Sequence, residues 1–95
     1  MIEVRQTEVF GRWLSGIRDQ QAVARVVRRL RQVERGLLGD VKYFQGIGEL
    51  RIDHGPGYRM YFIRQGDVVI LLLCGGDKGT QRRDIAQAVD MARDV

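Results

Sequence analysis

The sequence predicts a small α+β domain, in which one antiparallel β-sheet is packed by an N-terminal helical hairpin and a C-terminal helix. Two observations support this fold class. Apolar residues recur at helical spacing through residues 9–33, and the period shortens from about 3.6 to about 2 after Asp40. Helical spacing returns after Thr80, so the strands are flanked by helices on both sides in sequence, which is typical of an α+β sandwich.

Length and composition indicate a single globular unit. The chain has 95 residues, which allow one domain spanning residues 1–95. Hydrophobic residues make up 44% and charged residues 29%, the balance of a soluble globular chain rather than a disordered one. The longest apolar run, residues 68–74, is too short to span a bilayer, and the N-terminus lacks the apolar core of a signal peptide. We therefore expect a cytoplasmic protein that does not associate with a membrane.

The first third of the chain predicts a short strand followed by two helices. Residues 2–6 alternate apolar and polar side chains, and Thr7 supplies a hydroxyl for an N-cap. Asp19 is placed to cap the second helix, and Gly36 to end it. The apolar stripes of the two helices are Val9, Phe10, Trp13, Leu14 and Ile17, then Ala22, Val23, Val26, Val27, Leu30 and Val33. The short gap between them predicts a helical hairpin.

The middle of the chain predicts a hairpin of two strands. Residues 41–44 form either a short strand or an extended loop. Residues 49–53 alternate strictly, residues 55–57 (Gly-Pro-Gly) form a turn, and residues 58–63 run back. Because alternate side chains of a strand share a face, aligning the apolar sets of both strands places Arg51 and Arg59 together on the other face. Two interpretations remain open for this face: a basic surface that holds a phosphate, or an ion-pair ladder with Glu49 and Asp53.

The last third predicts a buried strand, a glycine-rich loop and a helix. Residues 68–74 are typical of a strand covered on both faces, residues 75–79 form a loop, and Thr80 is placed to cap the final helix. Lys78 lies in this loop and can reach the edge of the sheet, where the glycines allow close approach to a ligand. Arg82 and Arg83 occupy the first turn of the helix, where the macrodipole disfavours cations, a feature that can mark an anion site.

The charge and the single cysteine and histidine restrict the chemistry. Sixteen basic against 12 acidic residues give a net charge of +4 and a pI near 9.8, which favours nucleic acid, an acidic membrane surface or an acidic protein. An arginine-rich genome with a solvated basic face explains the same excess. With one cysteine, Cys74, and one histidine, His54, we expect no disulfide, metal or cofactor. His54, at the hairpin tip, is either a general acid–base group or a turn residue that tolerates left-handed geometry.

Several motifs together resemble those of the RelE/ParE toxin superfamily, and within it the HigB-like, phage Gp49-related addiction-module killer group. The resemblance covers nearly the whole chain. The motifs that carry it are Gly39-Asp40-Val41-Lys42, Glu49-Leu50-Arg51-Ile52-Asp53, Gly55-Pro56-Gly57-Tyr58-Arg59-Met60-Tyr61-Phe62, Leu71-Leu72-Leu73-Cys74-Gly75-Gly76-Asp77-Lys78-Gly79-Thr80-Gln81, and Asp84-Ile85 with Ala88.

The resemblance implies the toxin of a type II toxin–antitoxin module, neutralised by an antitoxin of helix-turn-helix type. Similar proteins cleave mRNA, commonly on the ribosome, by attack of a ribose 2′-OH on the adjacent phosphate without a metal. The candidate catalytic residues by position are Arg59, Arg51, Lys78 and Lys42, and the candidate RNA-binding residues are Arg82, Arg83, Tyr58 and His54. Because arginine is too basic to accept a proton readily, general acid–base work falls to Lys42, Lys78, His54 or Asp53.

Two other functions stay open at this point. The superfamily includes ParE toxins that poison DNA gyrase with a similar fold, and fold alone does not decide between these activities. Some HigB-type nucleases carry His and Tyr residues near the C-terminus, whereas residues 84–95 of this chain contain neither. A third alternative is a non-catalytic protein that binds its antitoxin or nucleic acid.

Overall fold

A five-stranded sheet with helices on both faces forms the centre of the protein, in a computed structural model that describes all residues from Met1 to Val95. The elements in chain order are β1 (Glu3–Gln6), α1 (Glu8–Ser15), α2 (Gln20–Glu34), β2 (Val41–Phe44), β3 (Ile47–Ile52), β4 (Tyr58–Gln65), β5 (Val69–Asp77) and α3 (Gln81–Ala92). The strands lie in the order β1-β5-β4-β3-β2. The α+β class is therefore confirmed.

The sheet is mixed, which corrects the prediction of a purely antiparallel sheet. Strands β2 to β5 form an antiparallel meander, but β1 pairs with β5 in parallel, with Glu3 opposite Val69. A backbone hydrogen bond of 3.0 Å from Thr7 N to Leu72 O continues this pairing. Tight turns encode the meander locally, whereas the partner of β1 lies more than 60 residues away and no local signal identifies it.

Helices α1 and α2 pack on one face of the sheet. The caps of both helices are as predicted: the Thr7 hydroxyl accepts from Phe10 N, the Asp19 carboxylate accepts from Gln21 N, and Gly36 adopts a φ of +85° beyond the end of α2. The buried core on this face comprises Phe10, Val26, Val33, Leu50, Ile52, Met60, Phe62, Ile70 and Leu72. The longest helix, α2, has 15 residues, and no helix has the length and apolarity needed to cross a membrane.

Helix α3 covers the opposite face of the sheet. Its apolar residues pack on a second core made of Ile47, Tyr61, Leu73, Cys74 and Ala88. A β-bulge shapes this face, because Tyr61 pairs with Cys74 and Phe62 with Leu72, which leaves Leu73 as the extra residue. Beyond the bulge, the register places Gly76 opposite Arg59.

The predicted glycine-rich loop is partly wrong, because β5 continues through Gly75 and Gly76 to Asp77. A single 3-10 turn over Lys78–Thr80 then connects β5 to α3, and the Asp77 carboxylate caps it by accepting from Gly79 N and Thr80 N. The Thr80 hydroxyl does not cap α3 as expected, since it donates to the Asp84 carboxylate. The two glycines are in the strand because side chains of the flanking helices pack directly against their backbone.

Gly76→Ala is expected to destabilise the fold by about 1–3 kcal/mol, the usual range for overpacking a tight site. A Cβ at this position would lie 1.7 Å from Asp84 Oδ2 and 2.8 Å from Thr80 Oγ1, so the start of α3 would have to move. Urea denaturation followed by circular dichroism measures the loss. Gly16→Ala is the control, since its Cβ would meet only ordinary contacts at 3.5 Å. Equal stability of the two variants would contradict this account.

Candidate functional site

Arg51 and Arg59 lie directly opposite each other on neighbouring strands. They are Cα partners in the β3–β4 pairing, next to the pair formed by Leu50 and Met60. Leu50 and Met60 are fully buried in the core beneath α1 and α2, so the two arginines face the side of the sheet that carries α3. The predicted register of this hairpin is therefore confirmed. Two guanidinium groups at this position repel each other unless carboxylates or a bound anion compensate them.

An open cavity of about 520 Å³, here called the basic hollow, lies beside these arginines. It is lined by Asp40, Arg51, Ile52, Asp53, Gly55, Pro56, Gly57, Arg59 and Lys78. The hollow is thus bordered by the end of β3, the turn before β4, the start of β4 and the residue after β5. Three of the four predicted catalytic residues, Arg51, Arg59 and Lys78, line it.

Arg51 is held by Asp40 rather than by the predicted partners. Its Nη2 and Nε atoms both donate to Asp40 Oδ1, at 2.7 and 3.2 Å, and these hydrogen bonds raise the pKa of Arg51 above its usual value. The Arg51 side chain remains 34% exposed. Exposed ion pairs of this kind contribute little free energy, so an incoming anion can compete with Asp40 for the guanidinium. Asp53, predicted as a partner, lines the hollow without an ion pair.

Arg59 is the more buried of the two guanidinium groups. Its side chain is 13% exposed, and its Nε lies 3.9 Å from Oε2 of Glu49, whose side chain is only 1% exposed. Gln81 Nε2 donates to the same Glu49 oxygen at 2.8 Å, so α3 is connected to the sheet through this carboxylate. Glu49 Oε1 and Arg59 Nε make no hydrogen bond although both are buried. The buried Glu49 carboxylate therefore compensates the charge of Arg59 on one side, and Arg59 lines the hollow on the other.

Gly57 allows Arg59 and Lys78 to approach each other across the mouth of the hollow. It has a φ of +81°, and a Cβ built there would lie 3.5 Å from Lys78 Cβ and 3.6 Å from Arg59 Nη1. The two cationic residues thus flank the same backbone position. Since left-handed geometry strongly favours glycine, this turn could not carry a side chain without strain.

The lining of the hollow carries a small net positive charge. Three cationic residues (Arg51, Arg59 and Lys78) face two carboxylates (Asp40 and Asp53), so the formal balance is 3 − 2 = +1. This face therefore has ion pairs, formed with Asp40 and Glu49 rather than with Asp53, beside an open cavity. An anion that displaced Asp40 from Arg51 would find three cationic groups around one cavity.

The other predicted cationic residues do not line the hollow. Lys42 is exposed on β2, in register with Glu49 and on the same face as Arg51. Arg82 lines a separate cavity at the start of α3, and Arg83 lies 3.6 Å from a carboxylate oxygen of Asp84. The structure therefore does not bring these three residues into the hollow.

Tyr58 and His54 do not line the hollow, although their sequence neighbours do. Tyr58 packs against the core beneath α1, with its ring edge-on to Trp13 at 6.3 Å between centroids, because it belongs to the apolar face of β4. His54 Nε2 lies 2.9 Å from Asp19 Oδ2, and this contact lowers the pKa of Asp19. His54 does not adopt a positive φ, so the prediction of left-handed geometry is wrong. Its contact with Asp19 connects the hairpin tip to the N-terminus of α2.

Sequence reasoning missed Asp40 and Arg29, which support the site. Arg29 Nη2 donates to Asp40 O at 2.8 Å, and partial burial lowers the pKa of the Arg29 guanidinium, so α2 contributes a side chain that supports Asp40. The pairing of Phe44 with Ile47 around a two-residue turn could have identified Asp40. In an antiparallel hairpin, each step back along one strand is matched by a step forward along the other. Continuing the pairing of Phe44 with Ile47 in this way places Asp40 opposite Arg51.

A second group of buried polar side chains lies behind the hollow, beneath α3. Burial raises the pKa of the Cys74 thiol to about 12, and the nearby Asp84 carboxylate acts in the same direction. Burial and the charge of Glu49 likewise raise the pKa of Tyr61. Neither group ionises near neutral pH, so neither is a candidate nucleophile or base.

The wild-type protein is expected to lose stability between pH 9 and pH 12 faster than Cys74→Ala. The folded thiol stays neutral up to about pH 12, whereas the unfolded thiol ionises above its ordinary pKa of 9.0. The unfolded state is therefore favoured as the pH rises, by at most about 1.4 kcal/mol per pH unit. Urea midpoints at pH 8.0, 9.0 and 10.0 test this expectation. Parallel pH dependence in the two proteins would contradict it.

Comparison with known proteins identifies a relative over almost the whole chain. No model of a known protein family matches the sequence. An uncharacterized protein of Haemophilus influenzae is 43% identical over 95 residues, which cover 99% of this chain and 96% of that protein. Identity at this level over the full length of both chains means that they share one fold. The chain therefore belongs to the same protein family as this Haemophilus influenzae protein.

Proposed function

We propose that the chain is a RelE/ParE-like toxin that cleaves mRNA without a metal, by attack of a ribose 2′-OH on the adjacent phosphate. The observation that carries the proposal is the placement of Arg51 opposite Arg59 in an open hollow, with Lys78 beside them. Phosphodiester cleavage gathers negative charge on the phosphate oxygens in the transition state. Fixed guanidinium groups stabilise that charge without reorganising during the reaction.

The hollow also holds two groups able to move protons. Of the four acid–base candidates, Asp53 and Lys78 line the hollow, whereas Lys42 and His54 do not. In the proposed reaction, Asp53 accepts the proton of the 2′-OH as the new O2′–P bond forms. The P–O5′ bond then breaks, and the Lys78 ammonium donates a proton to the leaving 5′ oxygen. The products carry a 2′,3′-cyclic phosphate and a 5′-OH, so no water or metal is consumed in this step.

The proposed partners are mRNA, supplied on the ribosome, and a cognate antitoxin of helix-turn-helix type. Exposed arginines outside the hollow support a polyanionic partner. Arg25 and Arg28 line a shallow groove on α2, and Arg82 is exposed on α3. Such residues strengthen RNA binding through phosphate contacts that do not depend on sequence.

The test is cleavage of mRNA by the purified protein, with and without translating ribosomes, in the presence of EDTA. Mapping of 5′ ends should reveal fragments with a 5′-OH in at least one setting. A substrate with 2′-O-methyl groups should remain intact, because it lacks the attacking nucleophile. Absence of cleavage in both settings would end the nuclease proposal. In that case, gyrase–DNA complexes trapped on expression of the protein would favour the gyrase-directed alternative.

A further inference from the structure

The Asp40 carboxylate occupies the donors that Arg51 would otherwise offer to a ligand in the basic hollow. Its Oδ1 atom accepts from Arg51 Nη2 at 2.7 Å and from Arg51 Nε at 3.2 Å. Both residues line the hollow, so this contact lies on the wall of the cavity. Carboxylates and phosphates bind a guanidinium through the same pairs of N–H donors. Asp40 Oδ1 therefore lies where an oxygen of a bound phosphate would contact Arg51.

The backbone of Asp40 is held firmly, but its side chain is not. Its carbonyl oxygen accepts from Arg29 Nη2 at 2.8 Å and from the backbone N–H of Arg51 at 3.1 Å. The carboxylate has no hydrogen-bond partner besides Arg51, and the Asp40 side chain is 58% exposed. Rotation of this side chain into solvent therefore breaks the contact with the Arg51 guanidinium and leaves the pairing of β2 with β3 unchanged.

The carboxylate that faces Arg59 does not have this freedom. The Glu49 side chain is 1% exposed and accepts a hydrogen bond from Gln81 at 2.8 Å, so it stays beneath α3. The two arginines that pair across β3 and β4 thus differ in a way that their register alone does not show. Arg59 has a permanent carboxylate neighbour, whereas Arg51 has one that a ligand can displace.

Displacement of Asp40 changes the charge that a ligand meets. With Asp40 in place, Lys78 is the one cationic side chain of the lining that no carboxylate contacts. Release of Arg51 adds a second such group at a small cost, because an exposed ion pair contributes little free energy. A phosphate recovers this cost, since it has several oxygens with which to contact the lining donors. A chloride ion is a single acceptor atom, so it gains less from the exchange.

We propose that Asp40 determines which anions the hollow accepts: it holds Arg51 until a phosphate displaces it, and thereby excludes anions with a single acceptor atom. Arg51 then has two partners in turn, Asp40 in the free protein and the phosphate in the complex. The inference rests on the proposed function for the hollow as a phosphate site. It does not depend on cleavage, because the exchange precedes any reaction of the ligand.

Titration of the isotope-labelled protein with inorganic phosphate, followed by NMR, tests the exchange. The Arg51 Nε–H signal reports the partner of this guanidinium directly, and its loss in Arg51→Ala assigns it. In the wild type, phosphate should shift this signal, whereas sodium chloride at the same ionic strength should leave it in place. In Asp40→Asn, which keeps the size of the side chain but removes its charge, chloride should shift the signal as well. The backbone signals of the same spectra show whether each variant is folded.

The same titrations give the phosphate affinity, for which the chain offers matched variants. Asp40→Asn should bind phosphate about tenfold more tightly than wild type, about fivefold from the loss of an exposed ion pair and about twofold from the loss of one negative charge. Asp53→Asn removes one charge from the same lining without freeing a guanidinium, so it should gain only about twofold. In an Arg51→Ala background, Asp40→Asn should likewise gain about twofold. Asp67→Asn, in the turn between β4 and β5, should keep the wild-type affinity.

Several results would overturn the role of Asp40. They are a wild-type Arg51 signal that phosphate does not shift or that chloride shifts equally, equal gains in Asp40→Asn and Asp53→Asn, and an undiminished gain in the Arg51→Ala background. Absence of phosphate binding by both wild type and Asp40→Asn would overturn it together with the hollow as a phosphate site. Phosphate exchange at Arg51 without any RNA cleavage would overturn only the nuclease. Cleavage by a protein whose Arg51 stays bound to Asp40 would overturn only this inference.

Discussion

Arg59→Ala is expected to slow the proposed RNA cleavage about 100- to 1,000-fold, the usual effect of removing one fixed donor to a developing charge. Arg59 is the guanidinium that the fold positions most firmly, because Glu49 lies behind it and only 13% of its side chain is exposed. It lines the hollow opposite Arg51. Single-turnover cleavage of a labelled RNA measures the loss directly.

Three further variants make this result specific. Arg59→Lys retains the charge but not the planar fork, so we expect partial activity. Arg51→Ala should cost less, about tenfold, because Arg51 already shares its donors with Asp40 and is more exposed. Arg93→Ala, an exposed arginine outside the hollow, should cleave at the wild-type rate. If Arg59→Ala retained activity within about threefold of wild type while remaining folded, the hollow would not be the site of cleavage.

The elements that local chemistry encodes were predicted well from the sequence. The caps at Thr7 and Asp19, the end of α2 near Gly36 and the facing of Arg51 with Arg59 follow from short-range rules of helix termini and strand alternation. Each of these rules involves residues close in sequence or joined by one tight turn. Such features can be deduced without knowing the rest of the fold.

Features that depend on distant packing could not be deduced in the same way. The parallel pairing of β1 with β5 joins residues 3–6 to residues 69–72, far apart in the chain. The extension of β5 through Gly76 depends on Asp84 of α3 packing against it, which makes a glycine part of a strand. A glycine in a sequence can indicate either a flexible loop or a position where another part of the protein packs directly against the backbone. Only the packed neighbour shows which of the two applies.

The ion pairs of the site were likewise predicted only in part from the sequence. Sequence alternation placed carboxylates and arginines on one face, but it assigned Asp53 as a partner where the structure uses Asp40 for Arg51. Local spacing does not decide whether residues 41–44 form a strand or a loop, so the sequence does not show that Asp40 lies opposite Arg51. Asp53 is left without a cation partner, and this is the reason it is available as the proton acceptor in the proposed reaction.

Glu49→Ala is expected to lower the free energy of unfolding by about 3–5 kcal/mol, the usual cost of removing one partner of a buried charge pair. The Glu49 side chain is 1% exposed, and it faces Arg59 on the sheet and Gln81 on α3. Its removal leaves a cavity, an unpaired Gln81 amide and a guanidinium whose compensating charge is lost. Chemical denaturation of the purified variant, monitored by circular dichroism, gives this change directly.

Glu49→Gln is the matched control, because glutamine fills the same space and keeps an oxygen that can accept from Gln81. We expect it to lose about 1–2 kcal/mol, since it removes the charge facing Arg59 but leaves one hydrogen bond and the packing intact. The difference between the two variants then measures packing and the link to α3, whereas the loss in Glu49→Gln measures the charge. If both variants were as stable as wild type, Glu49 would not connect α3 to the sheet. The arrangement of Arg59 in the hollow would then need another cause.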